Sequence, residues 1–526
     1  MSHQRQENDG HRDGKYVFES HSLSALKAEF QTMLTDGMTS RIETHSLAEY
    51  HSSGSTSSSS LSTSCELLQD DHTPSKESIN ALRSIADRMF SAGHVDDCIQ
   101  VYASARKSFM DMIFQRLGID KLSTVDVKRM EWQSLEREIQ QWIQAASACV
   151  QVLFPREKQL CEQIFEGQEA GLDDACFFET VKDHAILLFN FAGVVSVGRK
   201  SMEKLFKILD LYDALSGFWP NISVVFKSES MVSIRVQVSD TLTQLEEAVR
   251  GILSEFENTV LGERTIPVVG DQPISTMTIY VMKCMTLMIS KYKLTLFKLI
   301  VSKPELKQDG GDLMMMSDIE LMENEGRTPL AIHLAWIIVA LRNNLAGKSK
   351  HYADASLAHV FMMNNVHYIV QKINESLELR EMVGEHLLEK LRGQIQQDAS
   401  KYEISTWNRV MQILDTTELV RAGNWKFSFK RDDKAKLKKF YVMFEGAHQT
   451  QAIWLVPDPH LQEELRKSIL KKLTPTYKSF LDEFRRLHGI DSEKYIKYSI
   501  EDLERFVFDF FRGRQVSKQL TRSQQN

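Results

Sequence analysis

The scarcity of chain breakers is the feature that most constrains the fold of this sequence. Its 526 residues include only 10 prolines and 24 glycines, the residues that most often end helices or allow sharp turns. Apolar residues recur at steps of three and four, most clearly in the series Trp132, Leu135, Ile139, Trp142, Ala146 and Val150. This spacing places them on one face of a long helix. The sequence therefore predicts an all-α protein, an elongated rod of consecutive antiparallel helical bundles.

The periodicity predicts four regions along the chain, which are a largely disordered region at 1–75, N-terminal and middle helical bundles at 76–270, a middle helical bundle at 271–400, and a basic C-terminal bundle with its tail at 401–526. Within the first region, residues 23–34 have the spacing of one short amphipathic helix. They are followed by a serine-rich tract at 51–64 that has little to bury. The Gly- and acid-rich stretch 303–326 predicts a mobile loop.

A few features interrupt the helical pattern. Residues 232–238 alternate between apolar and polar side chains, which predicts a weak strand or an irregular bridge. Pro220-Asn221 is interpreted as a joint between helices, and Pro155 interrupts the pattern before another helix. Pro475 is expected to kink or divide the helix that contains it.

Targeting and membrane signals are weak. The N-terminus is polar and does not resemble a secretory signal. The most apolar stretches, 277–301 and 330–341, are broken by lysines or too short to span a bilayer, and both predict buried helices. The six cysteines have no metal-binding or disulfide-like spacing, so reduced, mostly buried thiols and a cytoplasmic location are expected.

Signals of catalysis are poor. Gly347-Lys348-Ser349 matches the end of a phosphate-binding loop, but Arg342 stands where the loop requires a glycine and no strand precedes it. His359 and His367 are eight residues apart, too far for one helical turn, and fit packing or surface roles better. We therefore predict no catalytic residue, no cofactor and no metal, and a binding or structural function is favoured.

The C-terminal region reverses the charge of the chain. Residues 401–526 contain 24 Lys and Arg against 17 Asp and Glu, a net +7, whereas the whole chain carries 64 − 71 = −7, so residues 1–400 carry −14. From Leu461 to Leu487 apolar residues keep helical spacing. The opposite face carries the basic residues Lys467, Lys471, Lys478 and Arg485. Lys494 and Lys497 follow downstream.

A solvated helix face is the simplest interpretation of any one of these lysines. As a cluster they indicate an anionic partner, since each Lys or Arg near an anionic membrane contributes about 1 kcal/mol. Four such charges would give about 4 kcal/mol, a millimolar affinity, so a specific headgroup site or several copies would be needed. Nucleic acid is disfavoured because the chain is acidic overall and has no recognisable RNA or DNA module.

An extended series of segments resembles one family, the exocyst seventy-kilodalton subunit in its plant-type form. The segments that carry the resemblance are Leu82-Arg-Ser-Ile-Ala86, Cys98-Ile-Gln-Val-Tyr102, Arg116-Leu-Gly-Ile-Asp-Lys-Leu-Ser123, Val152-Leu-Phe-Pro-Arg-Glu-Lys158, Lys204-Leu-Phe-Lys-Ile-Leu-Asp210, Asn364-Asn-Val-His-Tyr-Ile-Val370, Trp454 with Val456-Pro-Asp-Pro459, and Glu493-Lys-Tyr-Ile-Lys-Tyr498. The similarity covers about residues 80–511.

The resemblance implies a rod of helical bundles that tethers secretory vesicles at the plasma membrane as a peripheral protein. It implies phosphoinositide binding, notably of phosphatidylinositol 4,5-bisphosphate, by the C-terminal bundle, with Lys494 and Lys497 among the basic residues involved. Other exocyst subunits, an anionic phosphoinositide membrane and small GTPases are the partners it suggests.

The N-terminal region departs from the family pattern. Family members usually have an N-terminal helical region with a coiled-coil segment used in assembly, and here only residues 23–34 resemble a remnant of it. Assembly into a complete exocyst therefore stays open. The alternative is a diverged helical interaction module, uncoupled from the exocyst, for example in trafficking-linked plant defence.

Overall fold

The fold is helical throughout the part of the chain that the computed structural model describes, namely residues 23–35, 74–168, 171–262, 272–302, 325–414 and 426–513, without the side chains of 426–432. Within these ranges the only β-type pairing is an isolated antiparallel bridge between Leu455 and Arg512. The predicted all-α class is confirmed. The serine-rich tract 51–64 and most of the predicted loop 303–326 lie outside the described residues.

The described α-helices, numbered in chain order, are α1 (23–35), α2 (Lys76–Ser91), α3 (Val95–Arg116), α4 (Thr124–Arg129), α5 (Trp132–Ala148), α6 (Phe154–Ile164), α7 (Leu172–Ser196), α8 (Met202–Val225), α9 (Val232–Gly262), α10 (Thr276–Leu299), α11 (Pro329–Ser349), α12 (Ala355–Glu375), α13 (Leu377–Val383), α14 (Glu385–Glu403), α15 (Arg409–Gln412), α16 (Lys426–Gln451), α17 (Pro459–His488) and α18 (Ile500–Phe508). Two π-helical turns, Cys149–Leu153 and Ile404–Asn408, and two 3₁₀ turns, Glu229–Met231 and Gly489–Lys494, join some of them.

The chain forms two compact units, residues 1–253 and 254–526, with the boundary inside α9. In unit 1, α3 and α6 pack against α7, α2 packs against α6, and α5 packs against α8. In unit 2, α12 packs against α14, α10 contacts α11, α12 and α13, and α17 packs against α16 and α18. The finer division into four regions stays a prediction.

The predicted apolar face of α5 lies in the core of unit 1. Leu135, Ile139 and Trp142 are buried. The Trp142 indole N–H donates to the Leu188 carbonyl at 2.9 Å, and its ring stacks on Phe191 with the centroids 5.4 Å apart. The indole therefore fixes α5 against α7 both by packing and by satisfying its buried donor.

A buried ion pair joins α3 and α6 in unit 1. The Arg106 side chain is 6% exposed and the Glu157 side chain 1% exposed. Arg106 Nε lies 3.0 Å from Glu157 Oε2, and the Tyr102 hydroxyl donates to Oε1 at 2.9 Å. These hydrogen bonds offset the cost of removing both charges from water. The described cysteines Cys98, Cys149, Cys161, Cys176 and Cys284 are buried free thiols.

The predicted strand at 232–238 is wrong, because these residues form the first turns of α9. Ile234 and Val238 are buried, whereas Val232 is 40% and Val236 50% exposed. Because every second residue is apolar, residues four positions apart, such as Ile234 and Val238, are apolar as well. A spacing of four matches about one helical turn. Burial of that pair in a helical core overrides the β preference of branched side chains.

Proline interrupts the helices less than the sequence suggests. The predicted joint at Pro220 is wrong, since α8 runs through it to Val225 while Ile222 and Val225 stay buried. Helix α17 is continuous from Pro459 to His488, so a division at Pro475 is wrong, whereas the alternative that was predicted, a kink, stays a prediction. Pro155 lies just after the π-helical turn, and the helical backbone runs from α5 through that turn into α6, so the interruption predicted there is a local change of helical winding and not a break.

Two further helices match their predictions. Leu26, Phe30 and Leu34 of α1 are buried, and the Phe30 ring lies 6.5 Å from Tyr102. Helix α11 is long and apolar enough, by length and composition, to cross a membrane, but 72% of its apolar window is buried inside the protein. Its packing against α12 and α13 confirms the predicted buried helix at 330–341.

Candidate anion-binding surface

Helix α17 positions most of the predicted basic residues, and the Val456-Pro-Asp-Pro459 segment starts it. The Asp458 carboxylate accepts the Leu461 backbone N–H at 2.7 Å, and Pro459 occupies the first turn. Both residue types are favoured at these positions, as a side-chain cap and as a residue with no N–H to satisfy. At the other end, Gly489 follows the helix with φ +59°.

The amphipathic pattern of α17 is confirmed. The side chains buried along its inner face are Leu461, Leu465, Ile469, Leu473, Tyr477, Phe480 and Phe484. The exposed face carries what we call the α17 stripe, which consists of Lys467, Lys471, Lys478 and Arg485. At 1.5 Å per residue the stripe extends over about 27 Å.

The stripe residues differ in their ion pairs. Lys467 lies 3.4 Å from the Glu463 carboxylate, and Arg485 donates to Glu493 at 2.9 Å. Lys471 and Lys478 form no ion pair within the described part of the chain. These two ammonium groups are therefore the ones whose charge is not neutralised by a neighbouring carboxylate.

The two remaining predicted residues lie in the motif segment, residues 493–498, between α17 and α18. Lys494 pairs with Asp491 at 3.0 Å, and both side chains are more than two-thirds exposed, at 77% and 73%. Lys497 pairs with Glu445 of α16 at 2.7 Å, and its ammonium lies 5.1 Å from the Tyr498 ring centroid. The hydrogen bond from Lys497 lowers the pKa of Glu445, and the same bond raises the pKa of Lys497.

Tyrosine hydroxyl groups hold the backbone of the motif segment in place. The Lys497 backbone N–H donates to the Tyr441 hydroxyl at 3.0 Å. The Tyr477 hydroxyl donates to the Tyr498 carbonyl at 2.7 Å, and the Tyr441 and Tyr477 oxygens are 3.0 Å apart. Burial raises the pKa of Tyr477, so the group stays a neutral donor. The segment is thus fixed by uncharged bonds, while its lysine side chains reach the surface.

The C-terminal backbone closes this bundle over α17. The Phe511 N–H donates to Gln451 O at 3.0 Å and the Gly513 N–H to Trp454 O at 2.9 Å. Arg466, 7% exposed, donates through Nε to the Phe510 carbonyl at 3.2 Å. Arg466 therefore serves the fold, although it adjoins Lys467 in the sequence.

The structure adds residues that sequence analysis did not assign to the site. Lys434 of α16 lies over the Tyr495 ring, with Nζ 4.0 Å from the centroid. Lys438 and Lys439, also on α16, are exposed and form no ion pair with any described residue. The crowding of lysines around 434–439 was the available signal. Glu445 was not detectable, because it lies 52 residues before the lysine that it pairs with.

The arrangement is suited to binding multivalent anions. Among the described residues, no group of three or more His, Cys, Asp or Glu side chains could hold a metal ion. A groove of about 500 Å³ lies between α15 and α17, and the described residues that line it, which include Asn408, Gln412 and Thr476, carry no ionisable side chain. Ammonium and guanidinium groups on an exposed surface bind phosphate by charge and hydrogen bonds.

Comparison with known proteins identifies the family. The family defined by the C-terminal region of the Exo70 exocyst complex subunit matches residues 140–509. This chain belongs to that family. The match spans both compact units and includes all six predicted site residues.

Among curated relatives, exocyst complex component EXO70B1 of Arabidopsis thaliana is 32% identical over 437 residues, covering 83% of this chain and 66% of the relative. Component EXO70A1 of the same plant is 32% identical, covering 83% and 67%. The chain thus spans about two thirds of their length. A solved structure of S. cerevisiae Exo70 covers 97% of this chain and 90% of its own, with a TM-score of 0.56 at 13% identity, and shares the fold.

Proposed function

We propose that this protein acts as an exocyst subunit that helps to tether secretory vesicles at the plasma membrane, and that its C-terminal bundle binds phosphoinositides there. The observation that supports the lipid-binding part is the pair Lys471 and Lys478, exposed on α17 without a carboxylate partner among the described residues. Membership of the exocyst subunit family supports the tethering part.

The ion pairs decide how much each cation contributes. An unpaired lysine near an anionic surface gains about 1 kcal/mol. A lysine that already has a surface carboxylate partner must give up an interaction worth about 0–1 kcal/mol, so its net gain is smaller. Lys471 and Lys478 should therefore contribute most, and Lys467, Arg485, Lys494 and Lys497 should contribute less.

The summed binding free energy of the six cations favours a partner whose negative charges are clustered over one whose charges are widely spaced. Two full contributions of about 1 kcal/mol and four partial ones give roughly 3–4 kcal/mol, which corresponds to a millimolar affinity for one molecule. A headgroup with several phosphates offers more charge within reach of one ammonium than a single phosphodiester does. Several copies on one vesicle would raise the apparent affinity further.

Vesicle flotation tests the lipid-binding part. Wild-type protein is expected to float with phosphatidylcholine vesicles that contain phosphatidylinositol 4,5-bisphosphate, and to remain at the bottom with phosphatidylcholine alone. Replacing Lys467, Lys471, Lys478, Arg485, Lys494 and Lys497 by Gln should abolish flotation. A control for loss of positive charge elsewhere on the same unit, Lys283→Gln with Lys298→Gln, should float like wild type. Flotation of the six-residue variant at the wild-type level would refute the proposed surface.

Comparing vesicles that carry different lipid headgroups separates phosphoinositide binding from general attraction to negative charge. Vesicles with phosphatidylserine at the same total charge should bind more weakly than those with phosphatidylinositol 4,5-bisphosphate. Equal binding would reduce the proposal to an unspecific electrostatic contact. The lipid arm does not depend on assembly with other subunits.

Affinity purification from the native tissue tests the tethering part. Stoichiometric recovery of the other exocyst subunits is expected. Their absence, together with one dominant different partner, would instead support an interaction module uncoupled from the exocyst. Small GTPases recovered only with their activating nucleotide would add a regulator to the tethering proposal.

A further inference from the structure

The turn that follows α17 exposes one apolar side chain almost completely. Ile490 is 98% exposed, the largest exposed fraction of any large apolar side chain in the described part of the chain, and the next, Leu294 of α10, is 78% exposed. Single exposed apolar residues are ordinary on a protein surface. Ile490 differs from the others because it lies in the turn Gly489–Lys494, which also carries one of the six predicted anion-binding residues.

Hydrogen bonds hold this turn on both sides of Ile490. Gly489, at φ +59°, ends α17 and donates its N–H to the Arg485 carbonyl. The Ser492 hydroxyl donates to the Gly489 carbonyl at 2.6 Å, and the Ser492 carbonyl accepts the Tyr495 N–H at 3.0 Å. The Ser492 side chain is itself buried. The backbone thus presents Ile490 to solvent from a fixed position, so little conformational freedom is lost when a partner covers the side chain.

The charges next to Ile490 balance each other. The Asp491 carboxylate lies 3.0 Å from the Lys494 ammonium, and the Glu493 carboxylate accepts a hydrogen bond from Arg485 at 2.9 Å. These pairs offset the repulsion that two free carboxylates would exert on an anionic surface. The second pair also joins the turn to Arg485, the last residue of the α17 stripe. Ile490 is therefore continuous with the candidate anion-binding surface.

A tyrosine beside the turn adds a second side chain with apolar surface. Tyr495 is 45% exposed, and the Lys434 ammonium lies 4.0 Å from its ring centroid. Tyrosine is enriched where apolar surroundings meet water, because its ring is apolar and its hydroxyl is polar. The turn and its neighbour thus combine exposed apolar surface with cations. Membrane-surface binding increases with both the apolar area that is buried and the attraction to anionic lipids.

We infer that Ile490 inserts into the bilayer, beneath the headgroups that the neighbouring cations bind. The inference rests on the proposed phosphoinositide binding and adds an apolar contact to it. The cations alone give one molecule only a millimolar affinity. Complete insertion of one isoleucine side chain strengthens binding about 10- to 100-fold. The inserted side chain therefore supplies affinity that the surface charges lack.

Vesicle flotation of the full chain measures the contribution of the side chain. Ile490→Ser should weaken partitioning onto phosphatidylcholine vesicles that contain phosphatidylinositol 4,5-bisphosphate about tenfold. Ile490→Leu keeps the apolar volume and should bind like wild type. The matched control is Leu294→Ser, at the exposed apolar position of α10, which should also bind like wild type. Both positions are exposed, so the variants should fold, which circular dichroism checks.

An environment-sensitive fluorophore reports insertion directly. A nitrobenzoxadiazole group attached to Ile490→Cys should brighten and shift to shorter wavelength on these vesicles, and nitroxides on the lipid acyl chains should quench it. The same label on Leu294→Cys should not respond. The described cysteines are buried, and both labelled proteins also carry Cys65→Ser, which removes the cysteine that lies outside the described residues.

The outcomes separate this inference from the proposed function. Wild-type protein that does not float refutes the lipid-binding proposal and insertion with it. Flotation of Ile490→Ser at the wild-type level, while the wild type binds, overturns insertion alone. A label at position 490 that nitroxide lipids do not quench overturns it as well. Loss of a co-purifying protein in Ile490→Ser, with flotation unchanged, would assign the side chain to a protein partner instead.

Discussion

Two sets of ion pairs, one in each unit of this protein, differ in their exposure to water. In unit 1, Arg106 and Glu157 are sealed from water, and a tyrosine hydroxyl completes the network. In unit 2, Lys494 and Lys497 meet their carboxylates at the surface, where the lysine side chains are 77% and 54% exposed. The first arrangement is part of the fold, and the second can exchange its partners.

The two kinds of ion pair differ in the free energy that they contribute. Removing one partner of a buried pair costs about 3–5 kcal/mol, whereas an exposed pair contributes about 0–1 kcal/mol. An ammonium group held that weakly can exchange its carboxylate partner for an incoming phosphate at little cost in free energy. The same residue types, a cation and a carboxylate, can therefore stabilise the core in one place and form an exchangeable anion-binding surface in another.

The largest effect is expected from breaking the buried pair. Glu157→Leu leaves the Arg106 guanidinium without a counter-charge in the core and should lower the free energy of unfolding by about 3–5 kcal/mol, measured by chemical denaturation. Arg106→Met combined with Glu157→Leu should recover most of the loss, because no uncompensated charge remains. A single variant as stable as wild type would show that the pair does not hold unit 1 together.

An intermediate effect is expected at Arg466, which is buried but has a backbone carbonyl as its partner. Arg466→Met leaves the Phe510 carbonyl without this donor, at a cost of about 1–3 kcal/mol. Amide hydrogen exchange at 508–513 should become faster, which ties the loss to the C-terminal closure. Arg486→Met, on the exposed side of the same helix, should leave exchange unchanged. Unaltered exchange in the Arg466 variant would assign the closure to the backbone bonds alone.

A smaller effect separates unpaired from paired lysines in vesicle binding. Lys471→Gln with Lys478→Gln removes about 2 kcal/mol at low salt, roughly a 30-fold loss in partitioning. Lys494→Gln with Lys497→Gln should cause a clearly smaller loss, because both ammonium groups already have carboxylate partners. The reverse order in a sedimentation assay would show that the motif segment binds the headgroup directly and that ion pairs do not set the ranking.

The smallest expected effect is an increase in vesicle binding. Glu445→Gln removes the partner of Lys497 and should strengthen vesicle binding a few-fold near neutral pH. Because the pKa of Glu445 is lowered in the folded protein, its pairing is present above the ordinary value of 4.5 and is lost as pH falls through the depressed folded value. The difference between variant and wild type should therefore vanish on acidification. A difference that persists at low pH would contradict this role for Glu445.

The sequence predicted the features that local spacing determines. The buried faces of α5 and α17 follow from steps of three and four. It failed at 232–238, where alternation hides a helical spacing, and at Pro220, where burial of Ile222 outweighs one lost hydrogen bond. It placed the basic residues of α17 on one face but could not tell Lys471 from Arg485. That distinction depends on carboxylates brought near by folding, such as Glu493 and Glu445.

The tyrosine hydroxyls beneath the motif segment have a consequence for how this surface can change. Because Tyr441 and Tyr477 hold the backbone at Lys497 and Tyr498 through neutral groups, neither ionic strength nor substitution of the lysines should displace it. Homologous proteins could therefore differ in the charged side chains of this surface, one residue at a time, while the backbone that carries them stays the same. Membrane preference could diverge quickly on a scaffold that stays constant.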